Sequence, residues 1–259
     1  MPPLRVSQLT GFGASRGGPS GVLIDTSQNH VDLYALLGSP TQARAYRIII
    51  PTAVVVGATS AATPALYTGT SFTAGTTFVI QFVGTAAVIA RGGAGGDGGQ
   101  LIDSKIGGQG GGGGGGRGSG IAPGGAAGGP SSFPGQNGTQ SAAGLGGDGL
   151  FINGTGSSSA LPGGAGGTGI ETHYDLTIDA QTSPGGSGRI YGGGGAGAGG
   201  DASADGGDGG DYGEDGEDTV GFAGTIAGGS AGAAIVALSG ATITYLPSKG
   251  ALDIRGAAP

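Results

Sequence analysis

The sequence predicts a mainly β and irregular chain: a small β-domain followed by a glycine-rich bundle of polyglycine-II helices with a C-terminal strand cap. Two observations lead to this prediction. Glycine accounts for 68 of the 259 residues, and 55 of these lie between residues 92 and 232. β-branched and aromatic runs, which favour strands, are concentrated on either side of that stretch. The architecture is therefore expected to change near residue 91 and again near residue 233.

Residues 1–43 are interpreted as an N-terminal attachment module. Their one apolar patch, residues 31–37, fits a short helix or a strand equally well. The first residues lack the apolar region of a secretory signal, and no uncharged apolar run reaches the roughly 20 residues that cross a bilayer. We expect a soluble protein, made in the cytoplasm, that does not insert into a membrane.

Residues 44–91 have the pattern of a small β-domain. The runs at residues 47–50, 53–56 and 77–83 are rich in valine, isoleucine and phenylalanine, and proline or glycine separates them, as is typical of short strands joined by turns. The last apolar segment begins at residue 233 and is interpreted as a strand pair. This pair is predicted to cap the glycine-rich body over residues 233–259.

The glycine-rich stretch, residues 92–232, is first compared with a flexible linker, because glycine loses the most backbone entropy on ordering. However, its glycine runs recur between tethers that contain leucine, isoleucine, phenylalanine or tyrosine. The glycines keep no strict three-residue period, which excludes collagen. Polyglycine-II helices have three residues per turn and no internal hydrogen bonds, so neighbouring helices can pair their backbones. We therefore predict a rigid bundle of such helices.

Charge and motifs argue against several functions. Residues 92–232 carry 3 basic and 14 acidic side chains, so the chain lacks the basic excess that binds nucleic acid. The many G-x-G-x-x-G matches are expected by chance in so much glycine, and no G-K-[ST] follows to complete a P-loop. The two histidines have no G-x-S-x-G serine beside them, so a hydrolase triad is not expected. We predict that the protein is not an enzyme and needs no organic cofactor.

One acidic pattern has geometric content, because its carboxylates recur at every third position. A helix with three residues per turn would stack them along one edge, about 9 Å apart. This ridge is either a solvated outer edge of the bundle or, together with Asp201, Asp215 and Asp218, a site for Ca²⁺ or a cationic surface. The ridge consists of Asp205, Asp208, Asp211, Glu214 and Glu217.

Large side chains between the glycine runs are candidates for recognition, because exposed aromatic rings on loops make rigid contacts. The alternative is that they pack over the ends of the bundle, and the sequence does not separate the two roles. They are Phe133, Phe151, His173, Tyr174, Tyr191, Tyr212 and Phe222.

The order of these parts resembles a group of phage tail proteins, in which a β segment leads into a glycine-rich body through an I-x-G-x-GG-x-GG-x-GG transition. Here residues 88–99 read VIARGGAGGDGG, and the upstream residues 55–66, VVGATSAATPAL, are also similar to that group. The glycine body separately resembles the adhesins at the tips of T-even-type long tail fibres. In those adhesins polyglycine-II helices form a sandwich, and loops at its distal end contact the bacterial receptor.

The resemblance implies a tail-fibre or tail-tip protein of a phage virion. It implies a homotrimer that docks onto other tail proteins through residues 1–43 and binds a bacterial surface protein or glycan. The alternatives are a structural virion component, such as a tail spacer or capsid decoration, an ice-binding glycine-rich bundle, and a disordered scaffold. The receptor-binding loops would be those that hold Phe133, Phe151, His173, Tyr174, Tyr191 and Tyr212.

Overall fold

The computed structural model describes residues 7–8, 20–98, 115–120, 134–147, 160–180, 188–199, 205–221 and 224–259. Within these ranges the chain forms short strands and very little helix. In chain order the elements are β1 (Ser7–Gln8), β2 (Ser20–Leu23), β3 (Gln28–Asn29), β4 (Val31–Asp32), α1 (Leu33–Leu36), β5 (Ala45–Ile50), β6 (Val55–Gly57), β7 (Leu66–Tyr67), β8 (Thr77–Phe82), β9 (Ala87–Ile89), β10 (Ile170–Thr172), β11 (Leu176–Ala180), β12 (Arg189–Tyr191), β13 (Thr219–Gly221), β14 (Gly224–Ile226), β15 (Ile235–Ala237), β16 (Ile243–Leu246), a 3-10 turn (Lys249–Ala251) and β17 (Asp253–Arg255).

Most of these strands belong to three parallel sheets. The first sheet has the order β2-β5-β8-β11-β16, and β1 pairs antiparallel with the outer edge of β2. The second has the order β3-β6-β9-β12-β17, and the third β4-β7-β10-β15. The chain visits the three sheets in the same order each time, so each passage is one coil of a parallel β-solenoid. The first four coils contribute three strands each, and the fifth contributes β16 and β17.

The core of the solenoid lies inside the coils, where alternate residues of each strand point inward. Ile48, Ile80 and Ile178 lie side by side on β5, β8 and β11 and are completely buried. Burying one such side chain contributes roughly 1.5–3 kcal/mol. The registered rows of apolar side chains therefore stabilise the parallel stacking of the coils.

The apolar patch at residues 31–37, which fitted a helix or a strand, contains both. Val31 and Asp32 form β4, and α1 follows at once. The carboxylate of Asp32 accepts hydrogen bonds from the amides of Tyr34 and Ala35, which otherwise lack partners at a helix N-terminus. This capping residue lets the chain turn within the first coil.

The glycine-rich stretches are two long insertions at the same corner of successive coils. The second coil joins β6 to β7 through eight residues, 58–65. The third coil makes the same connection from β9 to β10 through residues 90–169, and the fourth joins β12 to β15 through residues 192–234. The hairpin of β13 and β14 lies within the second insertion.

The described parts of these insertions run beside one another as extended segments. Four of them continue directly into solenoid strands, and we call these the strand-linked segments. The other segments are called peripheral. The strand-linked segments are residues 90–98, 160–169, 192–199 and 227–234, and the peripheral segments are residues 115–120, 134–147 and 205–218.

Backbone hydrogen bonds between the segments recur at every third residue. The amides of Gly93 and Gly96 donate to the carbonyls of Gly194 and Gly197 at 3.0 and 3.1 Å. A second set at 3.0, 2.9 and 3.0 Å runs from Gly193, Ala196 and Gly199 to the carbonyls of Gly167, Gly164 and Leu161. Because the hydrogen bonds to one neighbour recur at every third residue, every third residue of a segment lies on the side that faces that neighbour.

The segment at residues 192–199 is surrounded by other segments. Its backbone exchanges hydrogen bonds with three strand-linked neighbours and with three runs of peripheral residues, so little of it faces solvent. Ala196 and Ala198 are completely buried. The six partners are residues 90–98, 115–120, 160–169, 205–211, 214–218 and 227–234.

The structure corrects the predicted domain boundaries. The predicted attachment module includes the first coil, which begins at β2, while residues 1–6 and 9–19 lie outside the described residues. Strands β10, β11 and β12 belong to the solenoid although they lie within residues 92–232. The predicted strand pair of the cap does not form, because β15 pairs with β10 and β16 with β11. Parallel pairing joins strands from distant parts of the chain, so composition along the chain did not reveal these partners.

Candidate functional site

The candidate site is the end of the glycine-rich bundle that lies away from the solenoid, which we call the far end. Residues 90–98 and 192–199 leave the solenoid together and end here. The amide of Leu161 donates to Asp97 at 3.0 Å, and the amide of Gly199 donates to Leu161 at 3.0 Å. The amide of Gly206 donates to Gly147 at 2.8 Å, and that of Gly207 donates to Ala198 at 2.9 Å, so the ends of several described segments lie together there.

The hairpin of β13 and β14 also lies at the far end. Thr219, at its start, is 6% exposed, and its hydroxyl donates to the carbonyl of Gly199 at 2.8 Å. The two strands pair antiparallel between Thr219 and Ile226. This bond holds the hairpin against the end of the segment at residues 192–199.

An acidic cleft of about 440 Å³ opens beside this hairpin. Four carboxylate side chains and one exposed apolar side chain, Leu145, line it, and Leu145 is 53% exposed. An open cleft of this charge is suited to cationic or hydroxyl-bearing groups of a partner. The lining residues are Leu145, Gly146, Asp205, Gly206, Gly207, Asp208, Glu217, Asp218 and Thr219.

The acidic ridge predicted along one straight helix is folded back on itself. The chain reverses at Tyr212 and Gly213, where Gly213 has a φ of 70° and the amide of Glu214 donates to Asp211 at 3.0 Å. Residues on either side of the turn then run antiparallel. The amide of Glu217 donates to the Asp208 carbonyl at 2.9 Å. A glycine in the left-handed region permits this turn, which the three-residue spacing did not reveal.

Several acidic side chains accept hydrogen bonds from backbone amides of neighbouring segments. Asp208 accepts from Gly146 at 2.7 Å, and Asp218 accepts from Gly228 at 2.7 Å. The side chain of Glu217 accepts from the Asp208 amide at 3.0 Å. Amides at the edge of a bundle have no further backbone to bond, so a carboxylate satisfies them. Sequence reasoning missed this role, although the pairs of glycines beside the acidic residues are its signal.

The arrangement of the described acidic side chains does not support the hypothesis that they bind a metal ion. In the part of the chain that the structure describes, no cluster of three or more histidine, aspartate or glutamate side chains is placed to hold a metal ion. Ca²⁺ binding stays a prediction. Within the same ranges no helix is long and apolar enough to cross a membrane.

The aromatic candidates that the structure describes do not lie at the far end. Tyr191 and Tyr212 are each 5% exposed, and their ring centres lie 4.6 Å apart where the bundle meets the solenoid. Tyr174 packs edge-on against Phe72 and donates its hydroxyl to the Phe72 carbonyl at 2.8 Å. The buried rings of Tyr191 and Tyr212 offer no surface to a receptor, so the packing alternative describes these two tyrosines, whereas Tyr174 is half-buried in the solenoid.

The remaining candidates are placed differently. His173 lies between β10 and β11 of the solenoid, with its Nδ1 2.9 Å from the hydroxyl of Ser239. Its side chain is 20% exposed, and one carboxylate oxygen of Glu171 lies 4.0 Å from its Nε2. Phe133, Phe151 and Phe222 lie outside the described residues.

Comparison with known proteins gives one structural likeness. No protein-family model matches the sequence, and no curated protein matches it. The structure is similar to a phage adhesin. That protein is the gp37-gp38 adhesin tip complex of the bacteriophage S16 long tail fibre, and the match covers 93% of this chain and 82% of that chain at 17% sequence identity and a TM-score of 0.45.

Proposed function

We propose that this protein is a tail-fibre or tail-tip component of a phage virion, and that the far end of its glycine-rich bundle binds the receptor on the bacterial surface. One observation carries the proposal: the ends of several glycine-rich segments lie together at the end of a bundle that stands on a solenoid. Connections held by a rigid scaffold are where binding surfaces commonly lie. The bacterial partner is a surface protein or a glycan.

We also propose that the segments are polyglycine-II helices. The three-residue period of their hydrogen bonds and the six neighbours of residues 192–199 support this assignment, because such helices have three residues per turn and bond only to neighbours. A bundle held together in this way is stiff. Stiffness lets the far end be presented at a fixed distance from the solenoid.

In the assembly that we propose, the chain is oriented from the virion toward the bacterial surface. The N-terminal region faces other tail proteins, three copies associate, and the far end points away from the virion. No catalytic step is part of this function. The acidic side chains serve the bundle as acceptors for backbone amides, and four of them also line the cleft that we propose faces the receptor.

The binding of labelled, purified full-length protein to a panel of bacterial strains tests this proposal. Leu145 and Leu161 are exposed at the far end, at 53% and 51%, whereas Leu246 is 47% exposed on β16 of the solenoid. The double variant Leu145→Ser, Leu161→Ser is expected to weaken binding to the strain that the wild type labels by about tenfold, a loss of about 1.4 kcal/mol. Leu246→Ser is the matched control and is expected to bind as the wild type does.

Two outcomes would count against the proposal. One is a wild-type protein that labels none of the strains on which its phage grows. The other is equal binding by the wild type and the double variant, with the loss seen only for Leu246→Ser. The alternative function, a structural spacer of the virion, predicts the first of these outcomes.

A further inference from the structure

Four side chains form a continuous stack where the bundle meets the solenoid, and we call it the Arg–Tyr stack. The guanidinium carbon of Arg255 lies 5.1 Å from the ring centre of Tyr191. The ring of Tyr191 lies 4.6 Å from that of Tyr212, with an angle of 33° between them. The guanidinium carbon of Arg117 lies 4.5 Å from the ring centre of Tyr212. Cations over aromatic faces attract the rings, most strongly where water is excluded.

The solenoid half of the stack is fixed by polar contacts. Tyr191 ends β12, and its hydroxyl donates to the carboxylate of Asp253 at the start of β17. Burial, and then the hydrogen bond to Asp253, raise the pKa of Tyr191 to about 12. Arg255 lies on the same strand as Asp253, and its carbonyl accepts from the Gly192 amide at 2.8 Å. Both members of this half therefore belong to the last two strands of the second sheet.

The bundle half is fixed in the same way by groups on different segments. Arg117 binds both carboxylate oxygens of Asp211, at 2.7 and 3.0 Å. Burial acts to raise the pKa of Asp211, but the Tyr212 amide and the Arg117 guanidinium together lower it. The Tyr212 hydroxyl donates to the Gln140 carbonyl at 2.7 Å, and the Arg117 Nε donates to the same carbonyl at 3.1 Å. The stack thus joins all three peripheral segments.

None of these segments continues into a solenoid strand, and their backbone hydrogen bonds to one another and to the strand-linked segments join them to the bundle and not to the solenoid strands. Residues 115–120 have a second link, since the Ser119 hydroxyl donates to the Ala58 carbonyl at 2.7 Å. Residues 134–147 and 205–218 reach the solenoid at the stack, where Gly213 also packs against Gly256. These two ranges supply most of the lining of the acidic cleft.

We propose that the Arg–Tyr stack is the joint that holds the peripheral segments against the solenoid and so positions the acidic cleft at the far end. Tyr212 is its central positioning residue. The strand-linked segments keep their covalent connection to the strands with or without the stack. The consequence for receptor binding rests on the function proposed above, whereas the joint itself does not.

Hydrogen exchange of the full-length protein, followed by mass spectrometry, tests the joint. Tyr212→Leu removes the ring that touches both neighbours of the stack. Amide exchange is expected to rise by about tenfold in residues 205–218 and 134–147, which corresponds to about 1.4 kcal/mol. Residues 160–169 and the strands β8 and β11 are expected to exchange as in the wild type. Arg117→Met, which keeps an apolar stem but removes the cation, supplies the test if Tyr212→Leu does not fold.

The matched control is Tyr245→Leu in the solenoid, where the ammonium of Lys249 lies 5.7 Å from the ring centre of Tyr245. It is expected to leave residues 205–218 unchanged. A uniform rise across the chain in Tyr212→Leu, or no rise in the peripheral segments, would overturn the joint. If the peripheral segments open and binding to bacteria is unchanged, the joint stands and the far end is not the receptor-binding surface.

Discussion

At the scale of single residues, glycine is required in the bundle because neighbouring backbone occupies the place of a side chain. A Cβ added at Gly195 would lie 1.7 Å from the carbonyl oxygen of Gly229. A Cβ added at Gly21, on β2, would meet nothing within 4 Å. The requirement at Gly195 comes from close approach and not from an unusual φ. Glycine content in this chain therefore reports how tightly segments pack.

Gly195→Ala is predicted to lower the free energy of unfolding by about 3 kcal/mol, the upper part of the usual range for overpacking, because backbone yields less readily than a side chain. Gly21→Ala is the control, and a change within about 0.5 kcal/mol is expected. Urea unfolding followed by circular dichroism measures both. Equal stability of the two variants would show that segments 192–199 and 227–234 are not packed as described.

At the scale of elements, the central segment at residues 192–199 differs from a segment at the edge. The former has neighbours on all sides, and its amides donate to carbonyls such as those of Gly167 and Glu214, at 3.0 and 2.9 Å. Residues 214–218 lie at the surface, and four of these five residues are exposed. Local stability follows the number of buried backbone bonds that must open together.

Amides of residues 192–199 are predicted to exchange at least about tenfold more slowly than those of residues 214–218, because opening the central segment disrupts several neighbours at once. Hydrogen exchange at neutral pH on the full-length protein measures both ranges in one experiment. Exchange of both at the rate of a free peptide would restore the linker interpretation of this stretch.

At the scale of the whole molecule, the bundle is an elaboration of two solenoid connections. The second coil turns the same corner with residues 58–65, so the solenoid itself does not need a long connection there. The buried rows that include Ile48 and Ile178 lie inside the coils and not in the bundle. The solenoid thus has a core of its own, while the bundle is held by backbone bonds.

Replacing residues 90–169 and 192–234 with eight-residue connections copied from residues 58–65 is predicted to leave a folded solenoid, because the parallel strands keep their partners. Circular dichroism and cooperative thermal unfolding check the fold, and the assay on bacterial cells checks binding, which is expected to be lost. A truncated protein that fails to fold would show that the solenoid depends on the bundle. A truncated protein that folds and still binds would show that the far end is not the receptor-binding surface.

Part of this architecture could be predicted from the sequence. The strands β5 and β8 lie where β-branched and aromatic runs were recognised, at residues 47–50 and 77–83. The strand Leu176–Ala180 was not recognised, although its residues alternate between buried and half-buried. It is five residues long and stands between glycine runs, so the composition of its surroundings concealed it. Tyr191 and Tyr212 were found as isolated aromatic residues, but their contact joins separate segments.

From the sequence alone, backbone packing was predicted for the glycine runs, because only glycine leaves room for neighbouring chains to approach so closely, and the described segments such as residues 192–199 pack in this way. Tertiary structure decided which segments are neighbours. The amide of one glycine can donate to the carbonyl of any other, so the sequence does not specify which two segments pair. Tertiary structure also decided the roles of side chains such as Asp208 and Tyr212. Those roles depend on contacts with segments far along the chain, and such contacts are set by the packing of the whole bundle on the solenoid.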